Sequence, residues 1–365
     1  MSSDLNLLHT DIEDSLRDSV RDLLTARCPP QRVIAGYDGD RSLAPRLWRA
    51  LAVDLGVAGL LVPEDRGGAG ASAREAAVVL EELGRFAAPV PFLTSSVVAT
   101  KALAACSDDG LLSSLASGER TAALVVPFSA SAMGFQATVQ AEDGSLRGSV
   151  TSVAGALDAD VLLVPVLTGD VVELNMLEAA TVGIEPVGSL DMTRQLADID
   201  LTGASSRRVV PEGSAAVRDA LGLGAALLAS EQLGVAQWCL DTTVAYLGER
   251  RQFGRAVGGY QALKHRLADL YVMVESARTA ARYAAATAAD DDPDQEVAAS
   301  LAQAYCADAA VKAAEECVQM HGGIAMTWEH PAHLYLKRAK ADQIGLGNPG
   351  AHRLRLSELV DLPGM

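Results

Sequence analysis

No stretch of this 365-residue chain has an apolar run long enough to cross a membrane. Its six histidines form no HExxH motif and no His/Cys cluster, so no metal site is expected. Cys28, Cys106, Cys239, Cys306 and Cys317 are scattered without CxxC spacing, which points to reduced thiols in a cytoplasmic protein. Positive charge is short as well. Lys+Arg 30 against Asp+Glu 47 gives a net charge of −17, which disfavours nucleic acid and anionic membrane, because both reward clustered cations. The opening residues, MSSDLNLLHTDIEDSLRD, offer neither the basic start nor the apolar core of a signal peptide. What remains is a chain with 49% apolar residues, long enough for two or three units sharing a core.

The apolar pattern changes period twice. From Leu5 to Ala116 it is helical: Leu16, Val20, Leu23 and Leu24 share one face, Leu47, Leu51 and Leu55 another, and Glu75 to Phe86 repeats the pattern. Breaks fall at Cys28-Pro29-Pro30, at Pro63 to Gly70 and at Pro89-Val90-Pro91. From Thr121 to about Val210 the helical period disappears. Short apolar runs (Thr121 to Phe128, Val161 to Val166) and period-two stretches (Gln136 to Glu142, Leu196 to Leu201) predict antiparallel strands, with turns at Asp143-Gly144 and Gly169-Asp170. After Glu212 long alanine-rich helices are expected. A new one should start at Asp292-Pro293, with Asp292 as cap, Pro293 first and Gln295 third in the helix. The expected class is therefore α+β, mostly α: a helical domain over 1–118, an antiparallel β-domain over 119–210 and a helical bundle over 211–365.

Two stretches carry chemistry. The first runs Glu249-Arg250-Arg251-Gln252-Phe253-Gly254-Arg255, followed by Gln261-Ala262-Leu263-Lys264-His265 and Leu267-Ala268-Asp269. The second runs Gln319-Met320-His321-Gly322-Gly323-Ile324, then Thr327-Trp328-Glu329-His330-Pro331, then Tyr335 and Arg338. A diphosphate needs a fixed cation and backbone N–H groups that can approach closely. The planar fork of Arg250 suits the first need, and Gly322-Gly323, with no side chains to hold the backbone away, suits the second. Taken singly, each stretch also fits a solvated helix face and a plain helix-end turn.

Together and in this order, they resemble the R-x-Q-F-G and Q-x-x-G-G signatures of the acyl-CoA dehydrogenases, except that Ala325 replaces a third glycine. The resemblance implies that fold and FAD as cofactor. Arg250, Gln252 and Phe253 on one helix, Gln319, Gly322 and Gly323 on another, and Gln261 at the same interface would hold the ADP half of an FAD carried by a neighbouring subunit.

The departures matter as much. Removing the proton alpha to a thioester carbonyl requires a carboxylate base in a dry pocket. By resemblance that glutamate would stand at Leu346, within Gln343-Ile344-Gly345-Leu346-Gly347-Asn348, or at Gly224 on the first long C-terminal helix. Neither residue accepts a proton. Glu231 lies seven residues beyond Gly224 on a similar helix face and is the remaining candidate, against the ordinary reading of a carboxylate paired with an arginine at a helix interface. Asp342 and Glu329 are weaker candidates, and Glu329 fits a Glu-x-Pro-like turn. Val126 to Ala132 and Ser152 to Gly155 stand where the family's flavin-cradling loop and strand belong, without their acid, glycine and aromatic residues.

The chain thus resembles the degenerate subunits of α2β2 acyl-CoA dehydrogenases that actinobacteria use on steroid side chains. That implies a homologous catalytic subunit, an acyl-CoA substrate and an electron-transfer flavoprotein as partners. A self-sufficient homotetrameric dehydrogenase, a flavin monooxygenase of the same fold and a non-enzymatic scaffold remain alternatives.

Overall fold

The computed structural model describes residues 5–142 and 144–362, so Asp143 of the expected Asp143-Gly144 turn lies outside the described residues. Helices come first: α1 (Asp11–Arg27), α2 (Pro30–Ala35), α3 (Leu43–Arg49), α4 (Ala73–Arg85), α5 (Thr100–Ala102) and α6 (Asp109–Ala116). At the start of α1, Thr10 accepts from the Glu13 N–H while the Glu13 carboxylate accepts from the Thr10 N–H, and Ser72 and Glu75 make the same box on α4. Pro30 opens α2, where its missing N–H leaves no hydrogen bond unmade. A π-helical stretch, Phe92–Ala99, leads into α5. Val20 and Leu24 of the predicted α1 face are fully buried, whereas Leu55 is 36% exposed beyond a second π-helical turn, Ala50–Asp54.

Strands follow: β1 (Ala122–Leu124), β2 (Val139–Glu142), β3 (Ser145–Arg147), β4 (Ser149–Ala154), β5 (Val161–Thr168), β6 (Val171–Glu178), β7 (Gly183–Val187), β8 (Leu196–Asp200) and β9 (Arg207–Val210). They form a six-stranded sheet in the order β3-β2-β5-β6-β9, with β1 also on β5, and a three-stranded sheet, β4-β8-β7. Pairing is mainly antiparallel, and Gly169-Asp170 turns β5 into β6 as expected. However, β1 and β2 both run parallel to β5, which side-chain alternation alone does not reveal. β5 is buried on both faces. Leu162, Val164 and Val166 pack between the sheets with Ile199 and Leu201, while Val161 and Leu163 join the helical core.

Helices return with α7 (Gly213–Glu249). A short hairpin follows, β10 (Arg251–Gln252) with β11 (Arg255–Ala256), and then α8 (Gln261–Ala289), α9 (Gln295–His321), α10 (Ala332–Ile344) and α11 (Pro349–Leu359). α9 starts two residues later than expected, with Asp294 at the cap position. The Asp292 carboxylate instead accepts the Asp294 N–H at 2.8 Å, a local turn that competes with helix initiation. α7 packs against α4, α8 and α9 and is buried over most of its length. Where α4 crosses α7, a Cβ on Gly84 would overlap the Glu231 carbonyl, and one on Gly234 would overlap the Glu81 carbonyl. Alanines of α8 and α9 (Ala277, Ala281, Ala302, Ala310) allow similarly close approach. Among the described residues, no helix is long and apolar enough to cross a membrane.

Candidate functional site

Two regions collect the residues singled out in the sequence. One lies at the outer ends of α7 and α9. α7 stops at Arg250, whose backbone leaves the helix (φ −63°, ψ 125°) while its N–H still reaches Tyr246 O at 2.8 Å. Val257 N–H then bonds Arg250 O at 2.8 Å, closing the base of the β10–β11 hairpin. Arg250, Gln252 and Phe253 therefore do not share a helix. A helix end and a hairpin present them, because the Phe253-Gly254 turn needs positive φ at both positions (50° and 78°). Phenylalanine is costly there, and its side chain is 90% exposed.

α9 ends at His321, and Gly322 follows with φ 67°. Cβ atoms placed on Gly322 or Gly323 would meet nothing within 4 Å, so this backbone is open to a ligand. Tyr246, one turn before Arg250, stacks on the His321 ring with centroids 4.4 Å apart and planes at 23°. The two motifs, some seventy residues apart in sequence, thus lie side by side. Gln261 opens α8, and Gln319 sits on the last turn of α9. Arg250, Gln252, Phe253, Gln261, Gln319, Gly322 and Gly323 are all exposed.

The second region is interior. Leu346 and Gly224 face one another: a Cβ on Gly224 would meet Leu346 Cδ1 at 3.0 Å and Val98 Cγ2 at 2.8 Å. Leu346 is held at φ 55°, its N–H donating to Phe128 O at 2.8 Å and its carbonyl 3.0 Å from His352 Nε2. The Phe128 ring lies where a Cβ on Gly345 would be, and Phe128 N–H bonds Ser152 O at 2.9 Å. The segments Val126 to Ala132 and Ser152 to Gly155 thus close onto the Leu346 loop. The hollow left among Leu93, Val98, Val126, Phe128, Leu221 and Leu346 measures about 30 Å³. That is room for about two waters.

Glu231 does not line this hollow. Its carboxylate accepts from Arg194 Nη2 at 2.6 and 2.7 Å and from Arg338 Nη1 at 2.5 Å. Burial alone would raise its pKa, but the two guanidiniums outweigh burial and hold it below the usual carboxylate range. Arg194 also pairs with Asp342, and Arg338 with Asp191 at 2.9 Å. Thr193 Oγ bridges Arg338 and Asp191. Three carboxylates thus face two guanidiniums out of water. Burial raises the Asp342 pKa to about 8, against the pull of Arg194, with the charge of Glu231 acting the same way as burial. Glu329 is exposed in the turn before α10.

Asp191, Thr193 and Arg194 belong to no motif in the sequence. Their only signal is Glu231 itself, since an acid among Leu227, Leu228 and Leu233 demands a cation.

A dinucleotide's tail and its ring system make different demands on this chain. The outer surface offers an exposed Arg250, carboxamides at Gln252, Gln261 and Gln319, and an open Gly322-Gly323 backbone, which suit a diphosphate. The hollow beside Leu346, at about 30 Å³, is too small for a three-ring flavin or an acyl chain.

Residues 10–118 match the family described as Acyl-CoA dehydrogenase, N-terminal domain, and residues 212–360 match Acyl-CoA dehydrogenase, C-terminal domain. The chain is 36% identical over 348 residues to acyl-CoA dehydrogenase IpdE2 of Mycolicibacterium smegmatis, covering 94% of this chain and 97% of that protein. Among solved structures, a chain of a variant of the Tcur3481-Tcur3483 steroid ACAD superposes with a TM-score of 0.84 at 28% identity, covering 96% of this chain and 98% of that one. A chain of the ChsE4-ChsE5 complex from Mycobacterium tuberculosis gives 0.85 at 26% identity, covering 99% and 100%.

Proposed function

The chain belongs to the acyl-CoA dehydrogenase family, and from that premise we propose that it is the non-catalytic subunit of a heterotetrameric dehydrogenase acting on steroid-type acyl-CoA thioesters in the cytoplasm. The reading rests on one contrast. The positions where a base would stand are Leu346 and Gly224, packed against each other, while the surface suited to a diphosphate is intact and faces outward.

When bound, FAD supplies the hydride acceptor for α,β-desaturation. This chain holds its ADP end for a homologous partner: Arg250 neutralises the diphosphate, Gly322-Gly323 admits it to the backbone, and Gln252, Gln261 and Gln319 satisfy its polar edges. Phe253 seats the hairpin against the partner. The proton acceptor, the ring-binding cradle and the acyl pocket belong to that partner, and electrons leave through an electron-transfer flavoprotein. Glu231, pinned by two guanidiniums, holds α7, α10 and the β7–β8 connection together. The ChsE4-ChsE5 complex supports two different homologous chains as the arrangement.

The flavin-to-chain ratio tests the reading. Purified alone, the protein is expected to be colourless. Co-expressed with its homologous partner, it is expected to carry one FAD per pair of unlike chains. One FAD per chain in the lone protein would overturn the proposal in favour of a self-sufficient enzyme, and no flavin in any combination would favour a scaffold.

A further inference from the structure

The outward surface depends on two helix ends keeping a fixed separation, and one buried ring lies between them. His321 is the last residue of α9 and only 3% exposed. Its Nδ1–H donates to Cys317 O, one turn back, at 2.7 Å, which fixes the tautomer and the plane of the ring. Tyr246 of α7 stacks on that plane at 4.4 Å, and His330 from the α9–α10 connection packs against it at 4.5 Å and 47°. Nε2 has no hydrogen-bond partner among the described residues. Nδ1 also lies 3.6 Å from Cys317 Sγ, so the imidazole makes polar contacts on its own helix turn, besides the stack, that a leucine of similar volume would not make. The residues on either side of the stack belong to the proposed tail site. Arg250 lies one turn after Tyr246, and Gly322-Gly323 follows His321 directly.

We propose that His321 is a positioning residue for the ADP end of the cofactor, its stack on Tyr246 setting Arg250 at a fixed distance from the Gly322-Gly323 turn. The inference rests on reading that surface as a dinucleotide-tail site. A flat ring against a flat ring resists sliding of one helix end past the other in a way that an aliphatic contact does not. Diphosphate recognition needs its donors placed to within about 0.5 Å. Without the ring, Arg250 and the glycine turn become two loosely related half-sites. His321 and Tyr246 act through Arg250 and the glycine turn, without touching the diphosphate.

The test uses the complex co-purified with the homologous partner, with FAD dissociation read by equilibrium dialysis and flavin absorbance. His321→Ala is expected to weaken FAD binding by roughly tenfold, the scale of a lost aromatic pair. His321→Phe keeps a flat ring and is expected to stay within roughly twofold of wild type. Tyr246→Leu, at a half-buried position, serves as the second variant if His321→Ala fails to fold, and is expected to match it. The double variant should be no weaker than either single one, because both remove the same contact. If His321→Ala and Tyr246→Leu bind FAD like wild type while Arg250→Ala does not, the proposal falls and the tail site stands. Should His321→Phe be as weak as His321→Ala, the stack is not what positions the site. Unchanged binding in Arg250→Ala would bring down the tail site itself.

Discussion

α7 contributes to two regions that differ in how they are completed. Around Gly224 the chain completes itself: Leu346, Phe128 and Val98 fill the space, the Leu346 N–H is bonded across to Phe128, and three carboxylates and two guanidiniums lock the neighbouring layer. Around Arg250 it does not. There a phenylalanine stands 90% exposed in a strained turn, beside cations and bare glycine backbone. Folding alone gains nothing from the second region, and the first leaves little room beside Leu346. The pair of states fits a chain that works through a neighbour.

The largest expected effect breaks the interior. Glu231→Ala would leave two guanidiniums buried without their shared carboxylate, at a cost of about 3–5 kcal/mol in urea or guanidinium unfolding. If Glu231 were a base instead, the variant would keep its stability and lose turnover in the complex. Next, Leu346→Glu places a carboxylate at the position that the resemblance assigns to the base, within an apolar hollow of only about 30 Å³. It should cost about 3 kcal/mol and give the lone chain no dehydrogenase activity. A lone Leu346→Glu protein that desaturated an acyl-CoA would erase the contrast between the two regions.

On the outer side, Arg250→Ala should leave thermal unfolding unchanged and weaken FAD retention by the complex roughly 10- to 100-fold, as expected for a lost charge-assisted contact. A further effect concerns pH. Asp342 has a pKa near 8 in the fold, against about 3.9 for an unfolded aspartate. Between those values the folded chain holds a proton that the unfolded chain has lost, so this group's contribution to stability falls as pH rises from about 4 to about 8. Asp342→Asn mimics the protonated group and should flatten that dependence, giving a urea midpoint at pH 8 equal to or above wild type.

The fold was legible where periodicity speaks for burial. Val20 and Leu24 are buried as α1 predicts, and the turn at Gly169-Asp170 and the strands flanking it fall in place. What escaped was set by distant partners. The parallel pairing of β1 and β2 with β5 depends on crossovers that side-chain alternation cannot encode. The hairpin after Arg250 was hidden because its turn carries phenylalanine where asparagine or aspartate would announce it. The exposed residues of the outer surface were singled out by their motifs. Asp191, Thr193 and Arg194 were not, because a buried ion cluster is defined by which elements meet and not by spacing along the chain.

The crossing of α4 and α7 carries a consequence for assembly and engineering. Because Gly84 and Gly234 each press against the other helix's carbonyls, a methyl group at either position would act as a wedge between the N-terminal helices and the bundle. Glu231 lies within that crossing, so the wedge would also pry at the arginines around it. The N-terminal helices are therefore not a detachable cap. Chimeras that graft them from a homologue should fold only when the graft brings a glycine at the position of Gly84 to meet Gly234 of the bundle.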